Sequence, residues 1–371
     1  MPKERVTLFY QKELAALKRS GRYRERRLFN ENIIDLASND YLGLADNKDL
    51  MDEAYKRVSS FSSHASKASM LVNGYHPIHA DFEKALCEAN GFEDGVILGS
   101  GFNANIALIE SLLRKGDALF MDEKYHASGV MATKLVDAKV TYFKHNDAQE
   151  LERLLRSSSA KRKVIAVEGI YSMDADVLNK EIIDLADEYE AILILDEAHS
   201  SGVIGENLMG ILDHYKLTVK ENYIKMGTLG KAYGSFGAYI LASVHIIDYL
   251  INRAKPIIYA TAPSLFDTAL GHASLNYILE HKDELRSRIK RHQAIVYETL
   301  GIKVEGLIVP IDIADNRKVM QIQAELMEKN YLVGAIRQPT VESAIIRLIA
   351  RLGVSENDLF SVCNLINSKI R

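Results

Sequence analysis

A lysine set among glycines is the residue in this chain best suited to covalent chemistry: Lys231 lies in Gly227-Thr228-Leu229-Gly230-Lys231-Ala232-Tyr233-Gly234. An amine crowded by protein or by another cation loses proton affinity and becomes a nucleophile toward carbonyl groups. Thirty-five residues upstream, Asp196-Glu197-Ala198-His199 follows the apolar run Ile192-Leu193-Ile194-Leu195, so a carboxylate and an imidazole emerge where a buried strand ends. A buried carboxylate is costly unless a cation or good donors meet it. Three further clusters follow predicted strands: Gly99-Ser100-Gly101-Phe102-Asn103, Tyr125-His126, and Glu168-Gly169-Ile170-Tyr171-Ser172-Met173-Asp174. The first opens a helix and offers free N–H groups and a helix dipole to an anion. Each cluster also has a plainer reading: a turn, a helix cap, a satisfied structural histidine, or an exposed loop lysine.

In combination, a phosphate cup, a carboxylate, a flat ring and an amine describe a site for a planar, phosphorylated carbonyl cofactor with a basic ring nitrogen. Pyridoxal phosphate (PLP) has all those parts. Lys231 would form the Schiff base, Asp196 would keep the ring nitrogen protonated, and the helix terminus would take the phosphate. The competing reading is an NTPase, because Asp-Glu-Ala-His after an apolar strand also suits a nucleotide-bound metal. That reading needs Gly-x-x-x-x-Gly-Lys-Ser/Thr upstream, which is absent, and Lys231 is downstream and followed by Ala232. A non-catalytic binding protein would have no need for a lysine at that turn.

These residues must be positioned by alternating elements. The pattern predicts a helix over 82–89, a strand over 95–98, a helix over 104–114, a strand over 118–121, a helix over 127–135 and a strand over 140–143. It continues with a helix over 148–156, a strand over 164–168, a helix over 180–189 and a strand over 191–195. Alternation of this kind means right-handed crossovers and a mostly parallel sheet with helices on both faces, whose carboxyl edge binds ligands. A strand over 238–242, a helical stretch over 264–300 and strands near 304–310, 331–334 and 345–349 complete the pattern. The expected fold is therefore α/β, a large sheet domain plus a small C-terminal α+β domain. The expected division is 1–40 as an N-terminal helical segment, 41–280 as the large cofactor-binding domain, and 281–371 as the small domain.

With 371 residues, 47% hydrophobic and 26% charged, the chain can bury a sizeable core. Its 46 basic and 50 acidic residues give a net charge of −4, which offers no field for gathering nucleic acid. Two distant cysteines, Cys87 and Cys363, form neither a disulfide framework nor a metal-ligand spacing, so no metal is expected. Residues 8–28 suggest an amphipathic helix leading to the basic patch Arg22, Arg24, Arg26 and Arg27. Neither a signal peptide nor a membrane span is visible, and a cytoplasmic protein is expected.

Four segments carry a specific resemblance: Ser38-Asn39-Asp40-Tyr41-Leu42-Gly43-Leu44, the run from Glu168 to Asp174, Asp196-Glu197-Ala198-His199-Ser200-Ser201-Gly202-Val203-Ile204-Gly205, and Thr228-Leu229-Gly230-Lys231. From about residue 20 onward the chain resembles the α-oxoamine synthases, fold-type-I PLP enzymes that condense an amino acid with an acyl thioester and release CO2. The resemblance implies that Lys231 carries the cofactor, Asp196 pairs with the pyridinium, His126 stacks on the ring and His199 bonds the phenolic oxygen. Gly101 and Phe102 would hold the phosphate, with Ser172 and Thr228 in the polar shell. Thr261 would reach the phosphate from the neighbouring subunit, which implies a homodimer with shared sites. Arg24, Asn39, His126 and Thr340 would face substrate. Ser38–Tyr41, Lys144-His145-Asn146-Asp147 and Ile336–Thr340 are most similar to members that join L-alanine to a pimeloyl thioester, on coenzyme A or acyl carrier protein, in biotin synthesis. Glycine-using members, glycine C-acetyltransferase and 5-aminolevulinate synthase, remain alternatives. Where members show Arg-hydrophobic-Arg in the final strand, this chain has Arg347-Leu348-Ile349-Ala350-Arg351. Either arginine could hold the substrate carboxylate, and Arg347 is preferred. The glycine-rich segment that shapes the acyl tunnel in the family is altered here to His64–Met70, which leaves the acyl chain open.

Overall fold

The structure is a computed structural model and describes residues 2–20 and 22–370. It divides after Ile33 into two units, each taken by itself. The first holds the helix Pro2–Arg19, which stops well short of residue 28; Leu8, Leu14 and Leu17 are exposed on it.

The second unit contains eleven strands: β1 (Ile34–Leu36), β2 (Asp94–Leu98), β3 (Ala118–Asp122), β4 (Lys139–Phe143), β5 (Lys163–Glu168), β6 (Ile192–Asp196), β7 (Tyr223–Thr228), β8 (Ala238–Ala242), β9 (Ile308–Asp312), β10 (Tyr331–Ile336) and β11 (Ile345–Ile349). Seven of them form one sheet in the order β2-β8-β7-β6-β5-β3-β4, in which only β8 runs antiparallel to its neighbours. Successive residues of the central strands enter different apolar clusters: Ile165, Val167, Leu193 and Leu195 pack on one face, Val164, Ala166 and Ile194 on the other. Burial on both faces is what turns these strands into continuous apolar runs.

Two strands were not anticipated. β7 is interrupted by Lys225, which the fold buries by donating to Asn90 Oδ1 at 2.7 Å and to the Met209 carbonyl, close to the Glu197 carboxylate. β1 is three residues long, too short for a period, yet it pairs in parallel with β10. β10, β11 and β9 complete this second sheet as antiparallel neighbours. The helical stretch expected over 264–300 is two helices, Leu265–Glu280 and Lys282–Leu300, broken at His281. No helix among the described residues is long and apolar enough to cross a membrane.

Candidate active site

The parallel strands β3, β5, β6 and β7 bring Asp122, Glu168, Asp196 and Thr228 to one edge of the large sheet. Glu168 and Asp196 are register partners, so their side chains leave on the same face. Beyond Thr228 the chain turns through Gly230, and Lys231 reaches back with Nζ 2.8 Å from His199 Nε2. Burial lowers the Lys231 pKa to about 8; Asp196 and Glu168 pull it up, and Arg347 opposes them. At neutral pH a useful fraction of the amine is therefore free.

His199 is buried, and burial, reinforced by the charges of Lys231, Arg347 and His126, holds its imidazole well below the usual range. A neutral ring that accepts from Lys231 at Nε2 carries its proton on Nδ1, which lies 2.5 Å from the Tyr41 hydroxyl. Tyr41 in turn donates to Asn39 Oδ1 at 3.3 Å. Arg347 Nη1 donates to the same oxygen at 3.0 Å, and Arg347 Nε donates to the Ser172 carbonyl at 2.8 Å. A continuous polar chain thus runs from Lys231 through His199, Tyr41 and Asn39 to Arg347.

Asp196 is held from its other side. Its Oδ2 accepts from Asn105 Nδ2 at 2.9 Å and its Oδ1 from the Ala198 N–H at 3.1 Å. Asn105 is oriented by the Tyr125 hydroxyl at 2.7 Å and also donates to Ser128 Oγ at 2.9 Å, which sits 2.7 Å from His126 Nδ1. His126 itself lies at the open mouth of the site; the protein crowding its ring, together with Lys231, lowers its pKa against the pull of Asp196. Burial, and the Asp196 carboxylate beside it, push the pKa of the buried Glu168 well above its ordinary value.

The two arginines are distinguished by their partners. Arg351 lies beyond the end of β11 and is spent on acids: it pairs with the Asp40 carboxylate, donates to the Asp40 carbonyl at 3.0 Å, and lies 3.6 Å from Asp35 and 3.4 Å from Asp46. Arg347 meets a carbonyl, an amide oxygen and the Tyr41 hydroxyl instead and no carboxylate among the described residues, which leaves N–H groups over for an anion.

The donor set fits PLP on observations of the structure itself. A low-pKa amine faces a buried carboxylate, and Glu168 Oε1 is buried without a hydrogen-bond partner at the same edge. The helix Gly101–Leu112 starts beside Thr228, with Ser100 Oγ accepting only from the Asn103 N–H, so the Gly101 and Phe102 N–H groups are left for a phosphate. Among the sequence-predicted residues, Asn39, Ser172, Asp196, His199, Lys231 and Arg347 gather here, with Gly101, His126 and Thr228 around them. Thr261 and Thr340 are exposed, and no hydrogen bond joins them to this cluster among the described residues; Arg24 is exposed in the first unit. Tyr41 and Asn105 were missed as site residues. An amide on the apolar helix Gly101–Leu112 is a signal that could have found Asn105.

Residues 31–366 match the family model for aminotransferase class I and II. The chain is 46% identical over 366 residues to the 8-amino-7-oxononanoate synthase of Helicobacter pylori strain 26695, covering 98% of each chain. The solved structure of 8-amino-7-oxononanoate synthase from Francisella tularensis superposes with a TM-score of 0.78 at 25% identity, covering 92% of this chain and 98% of that one. Serine palmitoyltransferase from S. paucimobilis, solved with a bound PLP–myriocin aldimine, gives a TM-score of 0.87 at 20% identity over 97% and 96% of the two chains.

Proposed function

Because the chain belongs to the class I and II aminotransferase family, and within it to the fold-type-I α-oxoamine synthases, we propose that it joins L-alanine to a pimeloyl thioester with loss of CO2, giving 8-amino-7-oxononanoate for biotin synthesis. The observation that carries this reading is the placement of an amine with a pKa of about 8 between two buried acids and an arginine that meets no carboxylate among the described residues. PLP, when bound, supplies the electron sink that makes loss of the α-proton feasible.

The chain's own residues do the rest. Lys231 anchors the cofactor, then takes the α-proton and returns it. Asp196, fixed by Asn105, keeps the ring nitrogen protonated, while His199, fixed by Tyr41, bonds the phenolic oxygen. His126 covers the ring. Gly101 and Phe102 would hold the phosphate, with Ser172 and Thr228 contributing to its polar surroundings, and Thr261 would be contributed by a second copy in a homodimer. Arg347 and Asn39 orient the substrate carboxylate, and Thr340 faces the substrate. The acyl donor is a thioester of coenzyme A or of an acyl carrier protein, in the cytoplasm. Residues 41–280 form the large cofactor-binding part and residues 281–371 the small C-terminal part.

Titration with PLP should produce a visible absorption band that borohydride fixes at Lys231, and L-alanine should perturb it at lower concentration than glycine. Preference for glycine would move the chain to the acetyltransferase or aminolevulinate branch, and no band at all would defeat the cofactor reading. In Arg347→Lys, loss of the planar fork should raise the L-alanine concentration needed by roughly tenfold or more.

A further inference from the structure

No role in the chemistry above falls to the segment Lys144-His145-Asn146-Asp147, yet its histidine is gripped from two sides. His145, after β4, donates from Nδ1 to Asp122 Oδ1 at 3.0 Å and from Nε2 to Asp176 Oδ2 at 2.9 Å. A ring that donates from both nitrogens is an imidazolium. Burial works against that charge, but Asp122 and Asp176 outweigh it and raise the pKa to about 9.

The contacts of this ion triad extend to three strand-to-helix connections. Asp122 ends β3, and its Oδ2 also accepts from the Tyr171 hydroxyl at 2.9 Å and the Asn146 N–H at 2.8 Å. The His145 ring stands edge-on to Tyr171 with centroids 4.3 Å apart. Asn146 Nδ2 reaches Asp176 Oδ2 at 3.0 Å and the Val177 carbonyl at 2.8 Å. The loop that leaves Asp122 carries His126, and the Tyr125 N–H closes it on the Asp122 carbonyl at 3.0 Å. The loop that holds Tyr171 continues into Ser172, whose carbonyl receives Arg347.

We propose that His145 is a positioning residue: clamped between Asp122 and Asp176, it sets the spacing between His126 and the Ser172–Arg347 pair, and so aligns the cofactor ring with the substrate carboxylate. The inference rests on the PLP reading of the site. The charged groups facing His145 are Asp122 and Glu123 at the end of β3, and Asp176 with the Lys124–Asp174 pair beside it. His145, Asp174 and Asp176 are also close enough together to suggest a cation site, but both ring nitrogens donate to carboxylates and Asp174 is paired with Lys124, so the imidazolium already supplies the cation.

The test compares wild type, His145→Gln and Asp176→Asn, each loaded with PLP, by visible circular dichroism per bound cofactor between pH 7 and 10. Both variants should bind PLP with a weaker dichroic band and need several-fold more L-alanine to perturb it, because groups held slightly out of place lose much of their effect. The wild-type band should weaken as pH rises through about 9, whereas the His145→Gln band should not. Variants with wild-type dichroism, pH profile and L-alanine response, whatever their melting temperature, would overturn the proposal, because His145 would then only prop the fold. If His145→Gln does not fold, Asp176→Asn decides in the same way. A wild type without a PLP band defeats the cofactor reading and this inference with it, whereas normal wild-type binding with unchanged variants defeats the inference alone.

Discussion

At the scale of the residue, the site works by controlling protons at three neighbouring groups. Burial lowers the pKa of Lys231 to about 8, pushes that of His199 well below its usual value and raises that of Glu168, so the amine gives up its proton more readily than a free lysine does. Cofactor loading should therefore speed up with rising pH along a titration centred near 8, measured as the growth of the visible band after mixing with PLP. Lys231→Ala should lose turnover completely while keeping its far-ultraviolet dichroism; substantial remaining turnover would show that another group moves the α-proton. Lys231, Asp196 and His199 were legible in the sequence because glycines and an apolar strand flank them. Tyr41 was not assigned a role, because it meets His199 from 158 residues away and its motif reads equally well as packing.

At the scale of the element, the short helix Ala127–Ala132 shows how local packing aims a distant carboxylate. Gly129 sits under the ring of Tyr125, and a Cβ there would come within 2.1 Å of Tyr125 Cε1. Without that space Tyr125 could not hold Asn105, and Asn105 could not hold Asp196. Gly129→Ala should cost about 1–3 kcal/mol, the usual range for overpacking, and should also speed cofactor loss on dialysis. Urea unfolding and the residual visible band measure the two effects; a stable variant that keeps PLP would break the chain of contacts drawn here. The alternating helices and parallel strands between residues 82 and 196 were readable from period and apolar runs, while helices such as Lys48–Ser59, Val244–Arg253, Asn316–Glu328 and Glu356–Ile370 were not singled out. β7 was not, because a buried lysine interrupts its pattern, and β1 was not, because three residues carry no period.

At the scale of the molecule, the loop after β1 meets the turn after β11 through a buried ion pair. Arg351 closes on Asp40, and the Leu352 N–H donates to the Tyr41 carbonyl at 2.8 Å. The same contact that steadies the small sheet therefore steadies Tyr41, and through it His199. Arg351→Ala should destabilise the fold by roughly 3–5 kcal/mol, the cost of leaving a buried carboxylate unpaired. Burial raises the Asp40 pKa even with Arg351 present, and without it the carboxyl takes up a proton more readily. The deficit should accordingly be larger at pH 8 than at pH 5, as read by urea unfolding at both values; an equal deficit would mean that Asp40 is not the partner that matters.

The sequence by itself determined the α/β class and pointed to one edge of the sheet and to a candidate amine, carboxylate and imidazole there. These follow from features local in the chain: apolar runs, glycines around a lysine, and polar residues directly after strands. Only the tertiary structure distinguishes Arg347 from Arg351, because Asp40 reaches the second across the fold and not the first. It alone placed Tyr41, Asn105 and the His145 triad, because hydrogen bonds between distant segments leave no period or spacing to read.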